Sequence, residues 1–393
     1  MVKYTTKGVL LLALIASLIS FTKFDHCYNK NWATPDVYVH ACYSDISALY
    51  GARHMDTKTW PYSSGKESVE YPPLTGLVMW ATALITPSQS FHWYFIINIF
   101  LIALLFMLSA WLLSRIKNEF WYLLPLTPAV IASLFINWDL WAVVPAIASI
   151  YFFDRKKYDY SAILLGISVA AKFFPIVLLA PIGLILFRKA QPRNVLRYGL
   201  VFAITWLVIN APFFLTKPEG WSQFFKLNSE RGADFGSLWY SLQLLGINLR
   251  NLNTLSILLF LIGIAAFAVY FFGLEFTPNL ASVAFTVVAI FTIASKVYSP
   301  QYVLWLTPLA ILALRNKDDR KYFWVWQGCE ALYHVAVWQY LASYTGAHFG
   351  LPAKWYAVIA LIRIAACITF VVGVSTRSRA PQVAEFLSSS IDG

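Results

Sequence analysis

The sequence predicts an all-α integral membrane protein, a polytopic bundle of helices with about 12 crossings. Of its 393 residues, 59% are hydrophobic and only 12% are charged, and the mean hydropathy is +0.62. A soluble domain of this length lacks the interior to hide so much apolar surface, so the bilayer must act as its solvent. The 16 Trp and 22 Tyr residues fit two interfacial belts, where amphipathic rings lie at the level of the headgroups.

The distribution of charge supports the same fold class. The formal net charge is +11, but the basic residues occur in short connectors between apolar runs, as expected when Lys and Arg are retained on the cytoplasmic side. The clusters are Lys3 and Lys7; Arg115 and Lys117; Arg155, Lys156 and Lys157; Arg188, Lys189, Arg193 and Arg197; Arg315, Lys317, Arg320 and Lys321; and Arg377 and Arg379. The positive charge therefore sets the topology, and we expect no nucleic-acid partner.

The basic connectors also divide the apolar runs into spans. Residues 8–22 are predicted to form an uncleaved first helix with its amino end inside. Residues 73–114 must make a net inward crossing, and their first part, 73–88, is expected to be re-entrant or tilted. Residues 121–153 and 160–187 have basic clusters at both ends, so each is predicted to be a hairpin of two short helices whose tip points outward.

The remaining spans are expected near residues 198–215, 252–273, 280–297, 300–314, 321–341 and 355–374. The prediction is thus a single polytopic domain, residues 1–393, in the cytoplasmic (plasma) membrane with both ends inside. Short hairpin helices that stop before the outer face would leave a cavity in the outer leaflet, where irregular backbone is tolerated.

Two outer loops hold many of the polar residues. The first extracytoplasmic loop, residues 23–72, carries the densest group of acids in the chain and is expected to contain interfacial helices: Asp25, Asp36, Asp45, Asp56, Glu67 and Glu70. It also contains Cys27 and Cys42, which are compatible with a disulfide in an oxidising compartment or with two separate thiols. The second loop, residues 216–250, contains Arg231 and Asp234.

Two aspartates of the first loop are candidates for a general base. A carboxylate at the outer surface can accept the proton of an acceptor hydroxyl while that oxygen attacks an activated sugar carbon. Pro35 favours a helix start at Asp36, and Asp45 follows nine residues later. On one continuous helix that offset turns the two carboxylates to opposite faces. Asp36 is the first candidate and Asp45 the second, with a solvated or capping role as the alternative for both.

Cations near the outer face form a second group. Lys172 lies at the tip of the second hairpin, Arg231 in the second loop and Lys296 shortly before Ser299-Pro300. Ionisable groups at such depth are costly and usually functional, and together they suit a lipid phosphate bound by charge-assisted hydrogen bonds. For each cation taken alone, the alternative is a side chain that only extends its charged end to the membrane interface.

Three further ionisable residues lie within the predicted spans or at their tips. Asp139, at the tip of the first hairpin, is expected either to pair with Lys172 or to orient the substrate. Glu330 and His334 are four residues apart and share a helix face, so an intrahelical pair is favoured over a metal or proton-relay site.

The ordered segments together resemble a known class of enzymes. They are Asp36-Val37-Tyr38 with Gly51, Tyr71-Pro72-Pro73-Leu74, Asn137-Trp138-Asp139, Gly166 through Lys172 with Pro175, Ser237-Leu238-Trp239, and Lys296 through Leu306. In this order they resemble the GT-C class of membrane glycosyltransferases, specifically the polyprenyl-phosphate-mannose-dependent mannosyltransferases of glycosyltransferase family 87 in actinobacteria. A subgroup with Cys-Tyr-Ser-Asp in the first loop is more similar still.

The resemblance implies an inverting transfer of a sugar, expected to be mannose, from a polyprenyl-phosphate donor to a cell-envelope lipid or polysaccharide. Donor, glycolipid or glycan acceptor and membrane lipids are the implied partners. No cofactor is implied, and a divalent metal is left open. The essential acid of the class maps to Asp36 before Asp45. Where some members have histidines after Ser-Pro, this chain has Gln301 and Tyr302, which leaves the phosphate contacts and the sugar open.

Asp139, Lys172, Arg231, Lys296 and Gln301 are accordingly the expected substrate contacts. The main alternative is a lipid or small-molecule transporter or flippase, because broken helices and midplane charges also mark transporters. The chain shows no two halves with corresponding broken segments, which disfavours that alternative. A noncatalytic scaffold would have no need for outward acids that face outward cations.

Overall fold

The computed structural model describes residues 5–63, 65–87, 90–116 and 119–376, and every regular element in these ranges is helical. Lys3, Lys117, Arg377 and Arg379, which belong to the predicted inner clusters, lie outside the described residues. The α-helices are α1 (Thr6–Asn29), α2 (Asp36–Val39), α3 (Asp45–Ala52), α4 (Pro73–Ile85), α5 (Phe91–Ile116), α6 (Leu123–Leu126), α7 (Pro128–Ser133), α8 (Leu140–Asp154), α9 (Tyr158–Ala171), α10 (Leu179–Arg188), α11 (Pro192–Thr216), α12 (Pro218–Glu230), α13 (Leu238–Leu244), α14 (Leu252–Phe272), α15 (Leu280–Ala294), α16 (Val303–Ala313), α17 (Arg320–Tyr344) and α18 (Ala353–Thr376). Short 3-10 turns occur at Gly65–Glu67, Phe174–Leu178, Pro300–Tyr302 and Lys317–Asp319.

Among the described helices, five are long and apolar enough to cross a membrane: α1, α5, α11, α14 and α18. The surface of α14 is the clearest case, since Leu261, Ile262 and Val269 are all more than half exposed. A contiguous apolar surface of this kind requires lipid rather than water around it. The structure is therefore compatible with a membrane helix bundle, while the number of crossings stays a prediction.

Within the described ranges, six shorter apolar helical segments, of 10 to 17 residues, lie between the long helices. Both expected hairpins are broken at the expected tips. The first turns between α7 and α8, around Asn137-Trp138-Asp139, and the second turns at Lys172, whose backbone is extended. In residues 73–114 the separate helix α4 precedes the long helix α5, which agrees with the predicted division of that segment.

The first helix is longer than predicted. Instead of ending near residue 22, α1 continues to Asn29, so Lys23, Asp25 and Cys27 are helical. The amine of Lys23 donates to the carbonyl of Ala132 at 2.7 Å. A polar side chain that finds a partner on another helix does not end its own helix, and this is why the boundary at residue 22 is wrong.

The first loop contains two separate helices, α2 and α3, so Asp36 and Asp45 do not lie on one continuous helix. The chain leaves α2 at Val39 and enters α3 at Asp45, and Ser44 caps the second helix by accepting from the amide of Ile46. Because Asp36 and Asp45 begin different helices, their relative orientation does not follow from a nine-residue offset along one helix. Cys27 and Cys42 form a disulfide with a Cα–Cα separation of 5.9 Å, which links the end of α1 to the segment between α2 and α3.

The predicted pair of Glu330 and His334 is also wrong, because each side chain bonds to another helix. Glu330 accepts from the guanidinium of Arg363 on α18 at 2.8 Å. The ring of His334 lies 2.9 Å from the amine of Lys23 on α1. Glu330 and His334 do share a helix face, but a buried polar group must form hydrogen bonds, and the partners that the fold provides lie on other helices.

Candidate active site

A cavity of about 980 Å³ opens where the short hairpins end and the two outer loops meet. Its wall is formed by the first loop, the tips of both hairpins, the second loop, the segment before α16 and part of α17. Its polar lining combines acids and cations: Asp45, Arg53, Glu70, Lys172, Glu230, Arg231, Asp234 and Lys296, together with Asn137 and Gln301. Phe173, Phe224 and Phe225 add an apolar side to the same cavity.

Of the two candidate bases in the first loop, Asp45 lines this cavity. Its backbone amide donates to the carbonyl of Ile136 at 2.7 Å, and the hydroxyl of the neighbouring Ser44 donates to the carbonyl of Phe135 at 2.7 Å. The start of α3 is thus fixed to the break in the first hairpin. The carboxylate accepts from the Tyr43 hydroxyl at 2.8 Å and from the Asn137 side-chain amide at 3.5 Å.

Burial raises the pKa of Asp45 to about 6. The hydrogen bond from Tyr43, the positive charge of Lys172 and the bond from Asn137 act in the opposite direction, while Glu70 adds to the increase. A carboxylate with a pKa close to neutral is a better proton acceptor than an exposed aspartate and is still largely ionised at pH 7.

Asp36 lies elsewhere. It is absent from the cavity lining and contacts two histidines of the loop surface: its Oδ2 is 2.7 Å from His26 Nε2, and its Oδ1 is 3.0 Å from His40 Nδ1. About a third of its side chain is exposed. Of the two candidate bases, the structure brings Asp45 to the cavity and leaves Asp36 outside the lining.

The pairing expected between Asp139 and Lys172 is present. The amine of Lys172 donates to Asp139 Oδ1, and Asp139 is fully buried at the start of α8, behind the cavity wall. The same amine lies 5.3 Å from the ring centroid of Tyr71 and 5.6 Å from that of Trp305. Lys172 lines the cavity, whereas Asp139 acts as its counter-ion and not as a lining residue.

Arg231 and Lys296 both line the cavity but differ in their surroundings. The guanidinium of Arg231 pairs with Asp234 at 2.7 Å and is about half exposed. The amine of Lys296 donates to the carbonyls of Asn228 and Arg231 and to the side chain of Asn253. An ammonium has three donors, so Lys296 is occupied in holding the end of α12. Burial, with the charge of Arg231, lowers its pKa.

Gln301 belongs to the turn Pro300–Tyr302 and is a nearly buried part of the wall. The segment before it is fixed from behind by Arg363, which donates to the carbonyls of Tyr298 and Ser299 at 2.7 and 3.2 Å. Gly236, with a φ of +77°, allows the second loop to approach this segment, because a Cβ there would lie 2.1 Å from the Tyr298 carbonyl oxygen.

Sequence reasoning missed several residues of the cavity. Arg53 pairs with Glu70 across the first loop, and the aromatic rings of Tyr38, Tyr43 and Trp338 stand together with centroid separations of 5.6 to 6.2 Å. The segment Cys42-Tyr43-Ser44-Asp45 carried the available signal, since a tyrosine two residues before an acid can bond to it. Trp338 had none, because it lies within an ordinary apolar span.

Comparison with known proteins gives one line of support. No family model matches the chain, so the specific resemblance to family 87 stays a prediction. GPI mannosyltransferase 1 of Kluyveromyces lactis is 29% identical over 185 residues, which cover 43% of this chain and 46% of that protein. The chain thus spans about half the length of the curated relative it matches. The similarity is to a mannosyltransferase, but it covers too little of either chain to assign a family.

Proposed function

We propose that this protein is a membrane glycosyltransferase that transfers mannose from a polyprenyl-phosphate donor to a cell-envelope lipid or polysaccharide on the outer face of the cytoplasmic membrane. The observation that carries the proposal is Asp45, an acid with a pKa of about 6 in the same cavity as Lys172 and Arg231. The partial similarity to a mannosyltransferase supports the choice of reaction and sugar.

Asp45 acts as the general base in this proposal. It accepts the proton of an acceptor hydroxyl as that oxygen forms a bond to C1 of the sugar. The bond between C1 and the phosphate oxygen breaks in the same displacement, which inverts the configuration at C1. The leaving group is the polyprenyl phosphate, so the donor brings its own activation and no nucleotide is needed. Tyr43 and Asn137 orient the carboxylate through their hydrogen bonds.

Arg231 and Lys172 stabilise the leaving phosphate. The ion pair with Asp234 uses only part of the Arg231 guanidinium, whose five N–H donors leave capacity for phosphate oxygens. Lys172 has one proton directed to Asp139 and two further donors. Lys296 instead positions Arg231 by bonding to its carbonyl. This division of roles refines the expectation that all three cations touch the phosphate.

The apolar side of the cavity suits the polyprenyl chain. Phe173 lies 5.6 Å from Phe225 and 6.0 Å from Phe224, centroid to centroid, so the second hairpin and α12 form one aromatic surface. Isoprene units would be buried there while the phosphate faces the cations. Tyr38 and Trp338 on the other side offer flat rings to a sugar.

The proposal is tested by a transfer assay with the purified full chain in lipid nanodiscs. Polyprenyl-phosphate mannose, polyprenyl-phosphate glucose and GDP-mannose are offered in parallel with a panel of envelope glycolipids. We expect transfer from the polyprenyl-phosphate mannose alone. Arg231→Met should weaken binding of this donor by about tenfold or more, because charge-assisted hydrogen bonds to phosphate are lost.

Arg250→Met is the matched control, since Arg250 is an exposed cation at the end of the second loop and outside the cavity lining. Donor binding should be unchanged in it. Transfer from GDP-mannose would refute the donor assignment. Absence of transfer from every donor, together with movement of lipid across the bilayer, would favour the flippase alternative.

A further inference from the structure

Three potential metal ligands converge on the surface of the first loop, apart from the cavity lining. They are His26 near the end of α1, Asp36 at the start of α2 and His40 just after α2, and one ligand atom from each lies within 4.8 Å of the other two. The two imidazole rings are stacked with centroids 3.6 Å apart. Each oxygen of the single carboxylate faces one imidazole.

The set has the chemistry of a transition-metal site. Two imidazoles and one carboxylate bind Zn²⁺ at about 2.0–2.2 Å, with water in the remaining position. Mg²⁺ and Ca²⁺ prefer oxygen ligands throughout, so two imidazoles disfavour them. The Asp36 oxygens lie 2.7 Å from the His26 nitrogen and 3.0 Å from the His40 nitrogen. These distances are slightly shorter than the distances between two ligand atoms of a tetrahedral metal ion. More than a third of each of the three side chains is exposed. Small side-chain rotations can therefore increase the distances between the ligand atoms.

The backbone around the set is fixed before any ion binds. Cys27, next to His26, is joined by a disulfide to Cys42, two residues after His40. The Cys42 amide also donates to the carbonyl of Val37 at 2.9 Å, which closes the turn after α2. A site held by a cross-link loses less conformational entropy on binding than ligands on a free loop.

We propose that His26, Asp36 and His40 form a zinc site that joins the end of α1 to α2. Its role is to position α2, which carries Tyr38 into the cavity wall, where that ring is stacked on Trp338 with centroids 6.2 Å apart. The site takes no part in proton transfer. It stands independently of the proposed function, because its ligands do not line the cavity.

The test measures zinc binding to the full chain, purified without a histidine tag and treated with EDTA. Titration calorimetry with Zn²⁺ and competition with a chromogenic chelator should give one ion per chain, and X-ray absorption should show two imidazoles among nitrogen and oxygen ligands only. His26→Ala and His40→Ala should each weaken the affinity at least tenfold, and the near-isosteric Asp36→Asn should also weaken it.

His54→Ala is the matched control, since His54 is another half-exposed loop histidine beside an acid, Glu67, at 3.4 Å. The zinc affinity of the His54→Ala variant should equal that of the unchanged protein. Thiol titration checks that each variant keeps the Cys27–Cys42 disulfide, and thermal unfolding checks its fold. Unchanged zinc affinity in a folded His26→Ala/His40→Ala double variant would overturn the proposal, and so would a folded wild-type protein that binds no zinc.

Discussion

Two aspartates of one loop, nine positions apart, have different surroundings. Asp36 lies at the loop surface between two imidazoles, whereas Asp45 lies at the cavity beside a phenol and an amide. Burial raises the pKa of Asp45 to about 6. The chemical role of a carboxylate is thus indicated by its hydrogen-bond partners and its access to a cavity. Its position in a sequence motif is a weaker guide.

Asp139 is a third aspartate to compare, a fully buried acid whose counter-ion is Lys172. Removing that counter-ion should give the largest effect on stability. Lys172→Met leaves the Asp139 carboxylate buried without its cation, which costs about 3–5 kcal/mol of folding free energy. Thermal unfolding of the purified protein measures the loss. The double variant Lys172→Met/Asp139→Asn should regain most of the stability, since no charge is then buried alone. A single variant as stable as the unchanged protein would show that the pair is not a structural requirement.

A smaller effect sharpens the assignment of Asp45. The Tyr43 hydroxyl stabilises the ionised carboxylate and so lowers its pKa. Tyr43→Phe removes that bond, the pKa of Asp45 rises, and the acidic limb of the pH profile of transfer should move to higher pH, by about half a unit or more. The base is active when deprotonated, so the variant loses activity at mildly acidic pH and retains it at higher pH.

Tyr38→Phe is the control for this profile. Tyr38 lines the same cavity and stacks on Tyr43 with centroids 5.7 Å apart, but its hydroxyl is not among the hydrogen-bond partners of Asp45. The acidic limb should stay in place. A shift toward lower pH in Tyr43→Phe would contradict the direction in which the hydroxyl acts on Asp45.

Much of the helix pattern could be predicted from the sequence, because apolar runs and basic connectors are local signals. The expected spans 252–273 and 280–297 correspond to Leu252–Phe272 and Leu280–Ala294. The hairpin tips at Asp139 and Lys172 were also found, since polar residues interrupt apolar runs there.

The partners of the polar residues could not be predicted. The choice between Asp36 and Asp45 depends on a helix break at residues 40–44 and on contacts with Phe135 and Ile136, about ninety residues away. Glu330 and His334 likewise bond to residues on α18 and α1. Such contacts follow from tertiary packing, which one sequence does not encode in its local pattern.

The most direct test of the account compares Asp45→Asn with Asp36→Asn in a single-turnover transfer assay, with donor binding measured in parallel. Asn keeps the shape of the carboxylate but cannot accept the proton, so Asp45→Asn should bind donor normally and lose about a hundredfold or more in rate. Asp36→Asn should lose far less, and Asp25→Asn, an exposed acid of α1, should lose nothing. A hundredfold loss in Asp36→Asn with an active Asp45→Asn would contradict the account and return the base to Asp36.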